Sequence, residues 1–238
     1  MAINTVKVTA NKIKNRENTI SRIRLIIIVL VLFLLILFSM LSLVYMGGDF
    51  VITLDPNFSV KSGLIMYDQA ELKQEKLKLY ANGIDFMDNI SVEWLPNDID
   101  SSKGGAHNGE NYIAYTFFIE NTGEKEVDYW YEVYIEDVIK NVDEAIRIMI
   151  IRNKERKIYA KINEQTQKEE ENTIIFHSKD IAILEKREKL NKNEVDKYTI
   201  VIWLEGDDPD CLDNIIGGEI KLKMRIIESH LEPGSDKK

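Results

Sequence analysis

Residues 219–226 read Glu-Ile-Lys-Leu-Lys-Met-Arg-Ile, and this alternation decides the fold class. Apolar side chains occupy every second position, at Ile220, Leu222, Met224 and Ile226. Successive side chains of a β-strand point to opposite faces of the sheet, so an alternating pattern predicts a strand with one buried face. The intervening Glu219, Lys221, Lys223 and Arg225 then lie on the solvated face.

The same period recurs upstream. Residues 198–204 predict a strand with Tyr198, Ile200, Ile202 and Leu204 on one face and Thr199, Val201 and Trp203 on the other. Residues 113–119 predict another strand, which turns at 120–123 and returns as residues 127–135, so the two form a predicted hairpin. Residues 146–151 and 157–162 flank a polar turn at 153–156 and predict a second hairpin.

Weaker patterns fill the rest of this region. They predict strands at 50–54, 90–95, 173–176 and 181–184, a helical turn or two in 137–145, and either a short helix or a strand in 68–80. The charged segments 154–171 and 185–197 are interpreted as solvated turns. About ten short strands with few helical stretches are typical of a mainly β fold, here a single jelly-roll or β-sandwich domain over residues 47–238.

One transmembrane helix precedes this domain. Residues 25–46 carry no charge, and 17 of these 22 residues are Leu, Ile, Val or Phe. A helix of that length reaches about 33 Å, which matches a hydrocarbon core of roughly 30 Å. Six Lys and Arg residues lie in 1–24, whereas the first charges after the span are Asp49 and Asp55. This asymmetry predicts a cytoplasmic basic tail at 1–24 and an extracellular domain at the cell surface.

The span is predicted to remain as a signal anchor, because no pair of small residues at a cleavage spacing follows it. Beyond residue 24 the chain carries 25 basic and 39 acidic residues. A domain this acidic excludes nucleic acid as a partner, since phosphate affinity requires clustered Lys and Arg. The single cysteine, Cys211, excludes an internal disulfide.

No catalytic motif is present. The three histidines, His107, His177 and His230, have no metal-ligand spacing, and the sequence contains no nucleophile elbow, P-loop or dinucleotide-binding glycine pattern. No cofactor is therefore predicted. The functional hypotheses depend instead on loops and on surface composition.

Two loops contain the oxygen ligands that calcium prefers. The first spans 205–218 and carries five carboxylates, which are Glu205, Asp207, Asp208, Asp210 and Asp213. The second spans 96–111, is glycine-rich, and carries Asp98, Asp100 and Glu110. Neither has the spacing of an EF-hand. The alternative is that Asp, Asn, Gly and Pro simply form turns here.

The closing segment resembles a known group of proteins. Residues 198–211, Tyr-Thr-Ile-Val-Ile-Trp-Leu-Glu-Gly-Asp-Asp-Pro-Asp-Cys, together with 217–221 and 115–123, are similar to exported surface proteins of Gram-positive bacteria in the TasA/camelysin-like group. The resemblance implies a jelly-roll fold and a role at the cell surface or in the biofilm matrix. It does not bring a protease activity, because no set of zinc ligands is present. The cleavage site of that group is also missing.

These observations predict a membrane-anchored cell-surface protein with a structural or interaction role in the envelope or biofilm matrix. Its partners would be the lipid bilayer and, by strand addition, itself or other surface proteins. The aromatic run Tyr129, Trp130, Tyr131 and Tyr134 is either a contact patch or strand packing. The alternative hypotheses are a surface enzyme or accessory subunit with a site built from loops such as 96–111, and a sensor acting through the basic tail.

Overall fold

The computed structural model describes residues 20–40, 50–84, 86–163 and 166–229. The chain divides into two compact units, Met1–Gly47 and Gly48–Lys238. Several sequence predictions lie outside the described residues. They are the tail up to residue 19, the end of the span at 41–46, and His230.

Helix α1, Ile20–Met40, is the only element described in the first unit. Its 21 residues are mostly apolar, with Arg22 and Arg24 in the first two turns, and all of them are exposed within the described residues. Such a helix would be about 31 Å long, which is enough to cross a hydrocarbon core. By length and composition this helix could therefore be a membrane anchor. It begins five residues before the predicted span, because residues 20–24, Ile-Ser-Arg-Ile-Arg, continue the helix toward the tail.

The second unit is mainly β. Among the described residues its elements are β1 (Phe50–Leu54), α2 (Pro56–Ser62), β2 (Leu64–Tyr67), β3 (Lys78–Ala81), β4 (Gly105–Ala106), β5 (Tyr112–Asn121), β6 (Val127–Ile139), β7 (Ile146–Arg152), β8 (Glu155–Ala160), β9 (Ile174–Ile175), β10 (Ile181–Leu190), β11 (Val195–Leu204) and β12 (Glu219–Ile227). Four short 3-10 helices lie at 92–94, 99–101, 142–144 and 213–215.

These strands form two sheets. The five-stranded sheet has the order β10-β6-β12-β1-β3, and the seven-stranded sheet has the order β2-β5-β11-β7-β8-β9, with β4 paired to β5. Most pairs are antiparallel, but β1 with β12 and β8 with β9 are parallel. The predicted mainly β class, with one apolar helix before it, is confirmed. The jelly-roll connectivity stays a prediction.

The larger core lies between the sheets. Leu222, Met224 and Ile226 of β12 are almost fully buried, while Lys221 and Lys223 are partly exposed, so the alternation in 219–226 predicts the burial of this strand correctly. Strand β11 is buried on both faces. Tyr198 and Ile200 face the larger core, and its other face joins a second, smaller core described below.

The two predicted hairpins have different outcomes. β7 and β8 pair in register with Arg152 opposite Glu155, which confirms the second hairpin and shortens its turn to Asn153-Lys154. The first hairpin is wrong, because β5 and β6 belong to different sheets. The five residues 122–126 that join them can span up to about 17 Å, more than the roughly 10 Å between packed sheets.

Asn121 holds this crossing in place. Its buried carboxamide donates to the carbonyl oxygens of Lys125 and Leu190, both at 2.8 Å, and accepts from the Gly123 amide. Gly63, at φ +78°, packs closely on Gly123. A Cβ added to Gly63 would lie only 2.6 Å from the Gly123 backbone. The connection from β5 to β6 is therefore held by contacts to backbone atoms, which a hydrophobicity pattern does not reveal.

Other predictions are corrected by the structure. Residues 90–95 form one isolated bridge and a 3-10 helix rather than a strand. Residues 68–77 are irregular, and 137–145 hold the end of β6 and one 3-10 turn. The charged segment 185–197 is largely strand, since β10 continues to Leu190 and β11 begins at Val195.

Candidate functional site

Glu205 begins the acidic loop and serves as a structural acceptor. Its carboxylate is buried, and Oε2 accepts hydrogen bonds from the Trp203 indole at 2.9 Å and from the Val92 amide at 3.2 Å. Oε1 accepts from the Asp207 amide at 3.3 Å. Both carboxylate oxygens of Glu205 therefore accept hydrogen bonds, and these bonds fix the loop to the end of β11.

Asp208 and Asp210 meet Glu170 from a distant segment. One carboxylate oxygen of each lies within 4.8 Å of the others, and both aspartates are buried. Arg147 lies in the same place: its Nη2 is 2.6 Å from Asp208 Oδ2 and 3.7 Å from Glu170 Oε2. A guanidinium therefore already compensates part of the negative charge that a cation would neutralise.

The five carboxylates predicted as calcium ligands do not converge as one set. Glu205 is engaged elsewhere, and Asp207 and Asp213 are exposed. The three that could hold a metal ion are Glu170, Asp208 and Asp210. Sequence reasoning missed Glu170 because it lies in a charged segment interpreted as a solvated turn. Arg147 could have been found, since a lone arginine inside an apolar strand needs a buried counter-charge.

Three further charged residues lie beside Arg147 in sequence or across the β7–β8 pair. Lys161 donates to Asp143 at 2.8 Å and also contacts the Glu144 carboxylate, and both acids are buried. Burial alone would lower the pKa of Lys161, but the hydrogen bonds from its ammonium to the two carboxylates outweigh it and raise that pKa. This end of the seven-stranded sheet thus carries paired charges.

Loop 96–111, the second candidate, packs against the outer face of the seven-stranded sheet. With the segment before it, it supplies Ile90, Leu95 and Ile99 to the smaller core, over Val201 and Trp203. Arg156 donates to the Asn97 carbonyl at 2.8 Å. The segment therefore covers the outer face of the sheet and is hydrogen-bonded to it.

His107 belongs to this cover. Its ring nitrogens lie 3.1 Å from the Gly105 carbonyl oxygen and 3.0 Å from the Ile99 carbonyl oxygen. The two candidate loops therefore supply turns, covers and internal ion pairs. Their metal-binding role stays a prediction.

The aromatic run of β6 divides between the two faces of its sheet. Tyr129 and Tyr131 are buried in the core, as the strand-packing alternative predicts, whereas Trp130 and Tyr134 lie on the outer side. Tyr80 of β3 is 56% exposed on that same side. We use the name aromatic face for the outer surface formed by Tyr80, Trp130, Tyr134, Lys223 and Arg225.

The register of the strands arranges the aromatic face in rows. One row contains Tyr134, Lys223, Val51 and Tyr80, and the next contains Glu132, Arg225, Thr53 and Lys78. Adjacent strands are about 4.8 Å apart, so the row from Tyr134 to Tyr80 extends roughly 14 Å. A hydrogen bond from Lys223 lowers the pKa of Glu136 beside this row.

Arg225 is held on the aromatic face by two contacts. Its guanidinium carbon lies 4.8 Å from the centroid of the Tyr134 ring, and it forms an ion pair with Glu132. The Glu132 side chain is fully buried beneath it, while the Arg225 side chain is half-exposed. A half-exposed arginine is thereby held next to a tyrosine on the aromatic face.

A second group of perturbed side chains lies inside the sandwich. The Tyr129 hydroxyl donates to Asp196 at 2.7 Å and lies 2.8 Å from the Tyr198 hydroxyl, and Arg187 also contacts Asp196. Burial, then the proximity of Tyr198 and Asp196, raises the pKa of Tyr129 well above its ordinary value. These residues come from both sheets, so the network joins the sheets within the core.

No protein-family model matches this sequence, and no curated protein sequence matches it. Among solved structures, a β-glucosidase from Kluyveromyces marxianus in complex with glucose is similar with a TM-score of 0.23 and 10% sequence identity. The likeness covers 71% of this chain and 15% of that chain. At this TM-score it carries no argument about fold or function. The resemblance to the TasA/camelysin-like group stays a prediction.

Proposed function

We propose that this chain is a membrane-anchored cell-surface protein that binds another protein through the aromatic face of its extracellular sandwich. The observation that supports it is the assembly of Tyr134, Arg225 and Glu132, with Tyr80 three strands away. Tyr, Trp and Arg are the residues enriched at protein interfaces and at their energetic hot spots.

Preorganisation strengthens this proposal. An arginine on a surface usually loses side-chain freedom when it binds a partner, which costs about 0.5–1.5 kcal/mol. The ring of Tyr134 and the carboxylate of Glu132 already restrict Arg225 in the free protein. Part of that cost is then met during folding rather than during binding.

Strand addition at the long edge is less favourable than binding on the face. Strand β10 is the ten-residue edge of the five-stranded sheet, and its residues 185–189 are all charged. Its pairing with β6 also has two irregularities, one near Ile183 and one near Leu190. Charges and bulges are the devices that protect an edge strand from pairing with another chain.

The enzyme hypothesis has no specific observation in its favour. Its proposed site was loop 96–111, and the residues of that loop pack on the sheet and bond to the backbone. The sensor hypothesis concerns the tail, which lies outside the described residues up to residue 19. The binding hypothesis is therefore the one we develop.

The test is photocrosslinking on intact cells. A photoreactive amino acid replaces Tyr80 on the aromatic face, or, as a control, Val60 of α2, which is 89% exposed. We expect crosslinked species of defined mass from position 80 and not from position 60, with a second copy of the chain counted as a protein partner. Adding Tyr134→Ser should reduce the yield from position 80. Equal yields from the two positions, or none from position 80, would contradict the proposal.

A further inference from the structure

A groove of about 330 Å³ lies on the outer side of the seven-stranded sheet, away from the aromatic face. Its apolar lining comes from Val92, Leu95, Pro96, Met149, Ile158 and Ile174. Its polar lining includes Glu93, Asn97, Arg156, Asn172 and Thr173. This volume is at the lower end of the range of sites that hold small organic ligands.

The groove is preformed. Residues 92–97 form one wall of the groove, strands β7 and β8 supply Met149 and Ile158, and the short strand β9 supplies Ile174. Arg156 holds the wall at residues 92–97 in place by donating to the Asn97 carbonyl oxygen. On the β9 side, the Phe176 amide donates to the Ala160 carbonyl oxygen at 2.8 Å. A preformed site loses little conformational freedom when a ligand enters.

The charges of the groove favour a neutral ligand. Arg156 lies 3.6 Å from Asp100, and Lys157, which also lines the groove, lies 2.8 Å from Glu185. Both cations thus have counter-ions within the chain, and Glu93 adds a negative charge. A phosphate or a nucleotide would enter an acidic domain without a dedicated cation, which is unfavourable.

The uncharged polar groups match hydroxyl groups. Asn97 and Asn172 are exposed, and a carboxamide can both donate and accept, as a hydroxyl does. Beside these amides the lining is apolar, with Met149, Ile158 and Ile174. A sugar ring presents an apolar C–H face and a rim of hydroxyls, so an apolar lining with adjacent carboxamides is complementary to it.

An extended peptide fits this groove less well. Strand addition would have to use β9, which has only two residues, Ile174 and Ile175, and so offers few backbone hydrogen bonds. We propose that the groove is a binding site for a neutral saccharide of one or two rings. This inference does not depend on the aromatic face, because the two surfaces belong to different sheets.

The test measures binding of three neutral disaccharides, N,N′-diacetylchitobiose, cellobiose and maltose, to the full-length protein in lipid nanodiscs. We expect saturable calorimetric binding of at least one, and a loss of about tenfold or more in affinity with Ile174→Ala and with Asn97→Ala, two exposed lining residues. Phe86→Ala is the matched control, because Phe86 is 71% exposed and does not line the groove. All variants should keep the wild-type melting temperature, since the replaced side chains are exposed.

Three outcomes would overturn the saccharide proposal. One is the absence of saturable binding by the folded wild-type protein up to about 10 mM of each disaccharide. Another is binding that Phe86→Ala weakens as much as the two groove variants do. The last is saturable binding of inorganic phosphate or of an extended valine-threonine hexapeptide in place of the sugars. Crosslinking from position 80 is measured on the same variants, so failure of this inference is distinguished from failure of the protein-binding proposal.

Discussion

Leu222 and Lys221 are neighbours in β12 with opposite environments. Leu222 is 5% exposed in the larger core, whereas Lys221 is partly exposed and 3.6 Å from Glu136. We predict that Leu222→Asp lowers the free energy of unfolding by several kcal/mol, because it buries a carboxylate without a partner. Lys221→Asp should cost about 1 kcal/mol or less, since exposed ion pairs contribute little. Urea denaturation of the second unit measures both, and equal losses would show that the alternation does not determine burial.

Arg147 is the residue on which the acidic cluster depends. Its replacement by Met should lower the free energy of unfolding by roughly 3–5 kcal/mol, because Asp208 is left buried without its counter-charge. Asp208→Asn in the same protein should restore much of the loss, and the double-mutant cycle measures the coupling.

The same variant tests the calcium prediction. Arg147 supplies the positive charge that a cation bound to Glu170, Asp208 and Asp210 would supply. Millimolar calcium should therefore raise the melting temperature of Arg147→Met more than that of the wild-type protein. If calcium stabilises the two equally, the ligands lie elsewhere, and if magnesium acts identically the effect is charge screening.

At the scale of elements, the β7–β8 hairpin contains a local strain. Asn153 and Lys154 have φ values of 50° and 78°. A two-residue type I′ turn requires a positive φ at both positions, and glycine adopts a positive φ without strain. We predict that Lys154→Gly raises the free energy of unfolding by roughly 0.5–1 kcal/mol. Lys125→Gly, at an exposed lysine without a positive φ, should give no gain. Thermal melts of both variants provide the comparison, and a destabilised Lys154→Gly protein would contradict the geometry of the turn.

Asp68 joins the connection after β2 to strand β5. Its carboxylate lies 2.8 Å from Lys76 Nζ and accepts from the Tyr115 hydroxyl at 2.9 Å. Burial would raise the pKa of Asp68, but these two hydrogen bonds outweigh it and lower that pKa below its ordinary value. The carboxylate therefore contributes stability above the unfolded-state pKa of about 3.9, and the contribution disappears as pH falls through the lower folded-state pKa.

The predicted consequence is a pH-dependent difference between two proteins. Asp68→Asn should be less stable than the wild type at pH 7, and this difference should shrink as the pH falls below about 4. Melting temperatures of the two proteins between pH 7 and pH 3 measure it, with Asp98→Asn as an exposed control. A difference that stays constant with pH would show that Asp68 gives no such linkage.

At the scale of the whole molecule, the sequence predicts where the strands lie better than it predicts which strands pair with each other. The alternation in β12 and the two-faced pattern of β11 depend on each strand alone, and both are confirmed. The pairing of β5 with β6 was wrong because a hydrophobicity pattern does not say which sheet a strand joins. Here most connections cross between the two sheets, so sequence neighbours are often not paired.

The candidate sites were predictable only in part. Asp208 and Asp210 were identified, but Glu170 and Arg147 reach them from other elements, and their convergence requires the completed fold. The aromatic face and the groove combine residues from several strands, so no local motif encodes them. Trp130 and Tyr134 could be named from the sequence, whereas their neighbours Tyr80 and Arg225 could not.

The central proposal is that helix α1 spans the membrane and that the second unit lies outside the cell. Its most direct test is labelling of engineered thiols on intact cells with a membrane-impermeant maleimide, in a Cys211→Ser background that removes the native cysteine. We predict that the Tyr80→Cys protein is labelled on intact cells and that the Ala10→Cys protein is labelled only after permeabilisation. Labelling of the Ala10→Cys protein on intact cells, with the Tyr80→Cys protein protected, would contradict this account.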